Sequence, residues 1–252
     1  SCTWTPRQIH DYVSYLAAAL AAAGYRSTKI MIAEPGAWEN TYATSAMNDP
    51  KVASDIGILA AHAYNGKVSS LSYNNITDQH QWQTEVSDFN VYDASIASGL
   101  TYATMLHNWL TIARVNSWQY WLLSGQDGFS DNEGLAGPGG RIAKRAYTFG
   151  NFSKSVQFGW SVVEVTNNTT LLVSAYKSPV NGAAIVVVNN GWAVHNQVFS
   201  VGTEMGSSVT PWVTSASLNL APQPPVAVFS GSFRYTIPAS SGVTVSSSVT
   251  EP

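Results

Sequence analysis

The chain has 252 residues, 45% hydrophobic and 11% charged, with a net charge of −3. That balance excludes a disordered segment, and 12 Lys plus Arg leave no basic footprint for nucleic acid. The Ala-rich run at residues 16–23 falls well short of the ~20 apolar residues a membrane helix needs, so no membrane partner is expected either.

Thr5-Pro6 predicts a helix start, a threonine cap followed by proline at the first helical position. Ile9, Val13, Leu16 and Leu20 recur at helical spacing until Gly24. Residues 29–33 form a short apolar run of the kind buried in parallel sheets, ending at Glu34-Pro35-Gly36. Asp49-Pro50 opens another short helix, and residues 56–63 give a second strand that runs into His62-Ala63-Tyr64-Asn65-Gly66. A third strand is expected over residues 82–86. It carries Glu85 and is followed by a helix over residues 93–114 and a fourth strand over 117–123.

Four strands alternating with helices predict a parallel α/β sheet. Four such units are half a (β/α)8 barrel, which leaves two raw edges, and the chain opens on a helix with no strand before it. A segment preceding Ser1 is therefore expected to be missing. After a Gly-rich stretch (residues 124–140) and a helix (142–153), only strand patterns follow, punctuated by Gly, Asn and Pro. The predicted fold class is α/β plus all-β, with residues 1–158 a partial (β/α)8 barrel and residues 159–252 a β-sandwich. Pro222–Pro225 reads as a rigid turn inside the sandwich.

Glu85 is the first functional candidate. A carboxylate at the C-terminal end of a parallel strand is where such barrels keep their chemistry, and it is costly to bury unless it works or is paired. The 9 Trp and 12 Tyr suit sugar stacking as well as core packing. The five histidines lack ligand spacing, so neither a metal nor another cofactor is expected. Asn75, Asn151, Asn167 and Asn168 each begin an N-glycosylation pattern. With the low charge and the high Ser/Thr/Asn content, they favour a secreted, extracellular protein. Cys2 stands alone, awaiting either a disulfide partner or burial as a free thiol.

Several stretches together resemble glycoside hydrolase family 30. The opening Ser-Cys-Thr-Trp-Thr-Pro is similar to the segment just downstream of that family's catalytic Asn-Glu-Pro motif. His62-Ala63-Tyr64, Trp82-Gln83-Thr84-Glu85 and the helix Lys144-Arg145-Ala146-Tyr147-Thr148-Phe149-Gly150-Asn151-Phe152-Ser153 follow in the family's order, and then comes its side β-sandwich. The resemblance covers nearly the whole chain and implies the second half of the barrel, strands five to eight.

It also implies a retaining glycosidase in which Glu85 is the nucleophile. The acid/base glutamate would lie on a companion N-terminal segment or chain. Tyr64 would hydrogen-bond and orient Glu85, His62 would serve as a hydrogen-bonder, Trp121 would floor the reacting sugar, and Trp38 would line an outer subsite. Glu34 lacks the preceding Asn of the family motif, and reads as lining the cleft or pairing with a base. The implied substrate is a plant cell-wall polysaccharide, xylan or glucuronoxylan, by the texture of the fungal xylan-acting members. Alternatives are a β-1,6-galactanase or β-1,6-glucanase of the same family, or a non-catalytic carbohydrate-binding protein. A weaker option is an autonomous binding sandwich with Trp160, Trp192 and Trp212 as its platform.

Overall fold

Thr5 caps the first helix, Pro6–Ala22, in a complete capping box. Its hydroxyl accepts the Gln8 amide, and the Gln8 side chain returns to the Thr5 N–H at 2.9 Å. Ile9 and Val13 form the buried face, and Gly24, at φ 88°, follows the helix end. The computed structural model describes residues 3–76, 78–125, 130–167 and 169–247, so Cys2 and Asn168 lie outside the described residues. Two units are distinguished: Ser1–Asp88 with Asn108–Leu122, and Phe89–His107 with Leu123–Pro252.

The first unit holds four parallel strands in the order Ile30–Ala33, Ile56–Ala61, His80–Gln83, Ser117–Trp118. Among the described residues the sheet is open at its first and last strands and closes no barrel. Register assigns the faces: Met31 aligns with Ile58 and His80, and Ala33 with Ala60, Trp82 and Ser117. The opposite face carries Ile32, Leu59, Ala61, Gln83 and Trp118, all buried. Ile32 is 6% exposed but its neighbour Met31 is 41% exposed, so one face is packed and the other open. Trp82 belongs to the open face.

Two single-residue irregularities interrupt this ladder. Ile30 pairs with Ile56 but Met31 pairs with Ile58, so Gly57 is an extra residue in the second strand. Further along, Thr84 N–H donates to Ala61 O, yet Ala63 N–H donates to Glu85 O. A regular parallel ladder would use residue 84 for both, so Thr84–Glu85 is a second irregularity.

The strands are shorter than the sequence predicts. The third ends at Gln83, two residues before Glu85, and the fourth at Trp118, with a separate short strand at Leu122–Ser124. The helix expected over residues 93–114 is Ile96–Asn108 followed by one π-helical turn, Trp109–Ala113, closed by Arg114 at φ 59°.

The second unit contains the antiparallel sandwich. Ser161–Val163, Leu172–Lys177, Ala183–Asn189, Ser241–Ser247 and Ser208–Thr214 are neighbours in one sheet. Two short edge strands, Ala221–Pro222 and Val226–Ala227, pair with Ser208–Thr214 on either side of residues 223–225. The other sheet is the pair His195–Ser200 and Ser232–Ile237. Their core joins Ile185, Val187, Phe199, Phe233, Ile237 and Val243, with Phe199 and Phe233 stacked at 4.9 Å.

Arg145, on the helix Lys144–Ser153, is fully buried in this unit. Its guanidinium donates to Gly134 O, Asp93 O and Asn132 Oδ1 and lies over the Tyr92 ring. One side chain thus ties together three separate stretches of chain.

Candidate active site

The second and third strands carry polar side chains just past their C-terminal ends, and these converge. Tyr64 Oη donates to Glu85 Oε1 at 2.9 Å and lies 3.4 Å from Ser87 Oγ. His62 Nδ1 lies 3.5 Å from the same Glu85 oxygen. The other nitrogen of that ring, Nε2, meets Glu34 Oε2 at 3.2 Å. The remaining Glu34 oxygen, Oε1, accepts the Thr84 hydroxyl at 2.8 Å. The result is a continuous chain of polar groups, Thr84–Glu34–His62–Glu85–Tyr64. Glu85 is 19% exposed in its side chain and Glu34 37%, so both carboxylates reach solvent.

Backbone contacts fix this arrangement. His62 N–H donates to Pro35 O and Glu34 N–H to Ala60 O, joining the ends of the first two strands. By alternation from Ile58, His62 and Tyr64 fall on the open face, and the Thr84–Glu85 irregularity brings Glu85 to meet them. Glu34 itself has φ 61°, the left-handed region that L-residues other than Asn and Asp rarely occupy.

Trp121 is 42% exposed, and its backbone N–H donates to Val86 O at 3.0 Å. The preceding turn is held by Gln83, whose backbone and side-chain oxygens both accept the Gln119 N–H. An aromatic face is therefore tied by backbone to the residue after Glu85.

Three expectations are corrected. Trp38 lines no subsite: it is 3% exposed, its indole N–H donates to Ser69 O at 2.6 Å, and it packs edge-on against Trp109. Gly66 helps hold it there, because a Cβ at that position would sit 2.4 Å from Trp38 O. Asn151 is 1% exposed inside a helix, with its amide donating to Trp212 O and Thr244 Oγ1, so the folded chain offers no glycan site there. Trp160, Trp192 and Trp212 form no common platform. Trp192 (93% exposed) and Trp160 lie beyond opposite ends of Ala183–Asn189, a seven-residue strand spanning roughly 20 Å, and Lys154 covers the Trp212 ring. Asn75 is half-buried with its amide on Met47 O, whereas Asn167 is exposed.

The sequence did not assign roles to Thr84 and Ser87. Their signal was position, one residue before and two after the candidate glutamate, where hydroxyls can bond to neighbouring strand ends.

No protein-family model matches the chain. Among curated proteins it is 28% identical to Glucuronoxylanase XynC of Bacillus subtilis (strain 168), across 96% of this chain and 56% of that protein. Its structure matches the glycoside hydrolase family 30 subfamily 8 xylanase Xyn30A from Clostridium acetobutylicum with a TM-score of 0.84 and 28% identity. That match covers 98% of this chain and 61% of the other. A family 30 endoxylanase from Clostridium papyrosolvens C71 also matches, with a TM-score of 0.78 and 27% identity over 97% of this chain and 61% of that one. The chain thus spans between half and two thirds of these family 30 proteins. It aligns with part of an architecture that comprises a TIM barrel and a β-sandwich.

Proposed function

We propose that this chain is the nucleophile-bearing part of a retaining glycoside hydrolase acting on xylan or glucuronoxylan. Its four-stranded sheet is the second half of a (β/α)8 barrel. A companion segment or chain pairs with the open strands, covers the Met31–Trp82 face and supplies the acid/base glutamate. This chain together with that companion is the complete enzyme. Open parallel edges and a half-exposed apolar face support the companion, since parallel strands are normally paired at their edges and covered on both faces.

One observation carries the reading. Glu85 accepts the Tyr64 hydroxyl with His62 Nδ1 3.5 Å away, just past the end of its parallel strand, and the next residue, Val86, is joined by backbone to an exposed tryptophan. In a retaining pair the second carboxyl group would stand about 5–5.5 Å away. A Glu85 oxygen attacks the anomeric carbon as the glycosidic C–O bond breaks, and the acid delivers its proton to the leaving oxygen. Water then hydrolyses the glycosyl ester, giving its proton back to that group. Tyr64 keeps one Glu85 oxygen occupied, so the other is presented to the sugar, and Trp121 provides an apolar floor. Glu34 is unsuited as the acid, because both its oxygens are engaged by His62 and Thr84.

The test uses the complete enzyme. Glu85→Gln is expected to abolish release of reducing sugar from xylan, and a mechanism-based fluoro-sugar is expected to label Glu85. Labelling of another residue would sink the assignment. Turnover of β-1,6-linked galactan or glucan in place of xylan would move the substrate within the family. Retention on insoluble xylan with no hydrolysis would instead make this a binding protein.

A further inference from the structure

Glu34 occupies an unfavourable backbone conformation, φ 61°, one that non-glycine residues rarely adopt. Strain of this kind persists where surrounding contacts fix it, and at Glu34 those contacts lead to the candidate nucleophile. Its carboxylate takes the Thr84 hydroxyl on one oxygen and His62 Nε2 on the other. His62 is the element between the two glutamates, with Nδ1 3.5 Å from Glu85 Oε1. The groups facing the ring are Glu34, Glu85 and Tyr64, the last packed edge-on at 5.9 Å.

The chemistry of imidazole makes this arrangement consequential. Glu34 accepts the Nε2 proton, which sets the tautomer of a neutral ring. Nδ1 then turns a lone pair toward the Glu85 carboxylate, and the contact is repulsive. In the charged ring Nδ1 carries a second N–H, and the contact becomes attractive. One proton on His62 therefore reverses the sign of its interaction with Glu85.

We propose that Glu34 is a positioning residue that acts through His62 on Glu85. It holds the ring with Nδ1 toward Glu85. The proposal rests on Glu85 being the nucleophile, and goes beyond that reading in assigning work to a residue that touches no reacting atom.

The test compares steady-state kinetics of the complete enzyme on xylo-oligosaccharides. Glu34→Gln is expected to lower kcat about tenfold with KM within about twofold, the split of a group that acts on Glu85 and not on substrate binding. His62→Asn is expected to lower kcat at least as far, and Glu34→Gln added to it to change kcat by less than about twofold, because Glu34 acts through that ring. Glu34→Gly guards against a folding artefact, since glycine relieves the left-handed backbone. It is expected to match the wild-type melting temperature within a few degrees while losing kcat as Glu34→Gln does. A kcat within about twofold of wild type for Glu34→Gln or Glu34→Gly would overturn the proposal. Glu85→Gln serves as the control. If it stays active, the nucleophile assignment fails; if it is inactive while both Glu34 variants behave as wild type, only this proposal fails.

Discussion

Replacing Tyr64 with phenylalanine removes one oxygen from the site and leaves the ring in place. That oxygen donates to Glu85 Oε1 at 2.9 Å, while the other neighbour of this atom, His62 Nδ1, stands at 3.5 Å, long for a hydrogen bond. Tyr64 is thus the principal donor to Glu85. A hydrogen bond to a charged group contributes about 1.5–3 kcal/mol, and each ~1.4 kcal/mol is tenfold in rate. Glu85 is 19% exposed, so water can replace part of the lost interaction and the lower end of the range applies. A fall in kcat of about 10–30-fold on xylo-oligosaccharides is the expected result, with the melting temperature within ~2 °C because the ring still packs on His62. The assay is steady-state kinetics of the complete enzyme beside a thermal melt. Tyr64→Phe within about twofold of wild type in kcat would refute the reasoning, because the phenol would then be neither holding nor turning Glu85.

Three further outcomes follow from other parts of the chain. Arg145→Met removes the buried donor to Gly134 O and Asp93 O and one of the donors to Asn132 Oδ1, and is expected to cost about 3 kcal/mol in urea unfolding; a change below ~1 kcal/mol would refute it. Burial holds His107 below its usual range, so its contribution to stability is complete above about pH 6.5 and is lost as the pH falls below that. Calorimetry between pH 5 and 8 is expected to show this acid-side loss, with His107→Gln flattening it. Asn151 is expected to stay unglycosylated in a eukaryotic host, as read by peptide mapping, because its amide is committed to Trp212 and Thr244 in the folded chain.

Local chemistry made much of the fold readable. The Thr5-Pro6-Arg7-Gln8 start is a capping box in the structure, and the sandwich strands occupy the stretch where only strand patterns were expected, because turn residues bound them. Glu85, Tyr64 and His62 were legible because each sits at a strand end, where a polar side chain has few other reasons to occur. Trp38 was misread because burial of a tryptophan depends on distant partners, here Ser69 and Trp109. The Asn151 pattern was misread for a related reason, since three letters carry no information on whether the asparagine faces the sandwich. Glu34 was read as lining the cleft or pairing with a base, and it meets His62; which base, and the Thr84 bond and backbone angle beside it, were not legible because contacts 28 and 50 positions away are tertiary facts.

The extra residue at Gly57 has a bearing on how this chain can vary. Side chains along a strand obey a two-valued count, and inserting one residue reverses the value for everything beyond it. His62 and Tyr64 follow Gly57 at even spacing from Ile58, and Glu85 reaches their face only through the Thr84–Glu85 irregularity. Ironing out that irregularity with both residues retained would turn Glu85 to the far side of the sheet while leaving the composition unchanged. The site is written in parity as much as in residue type.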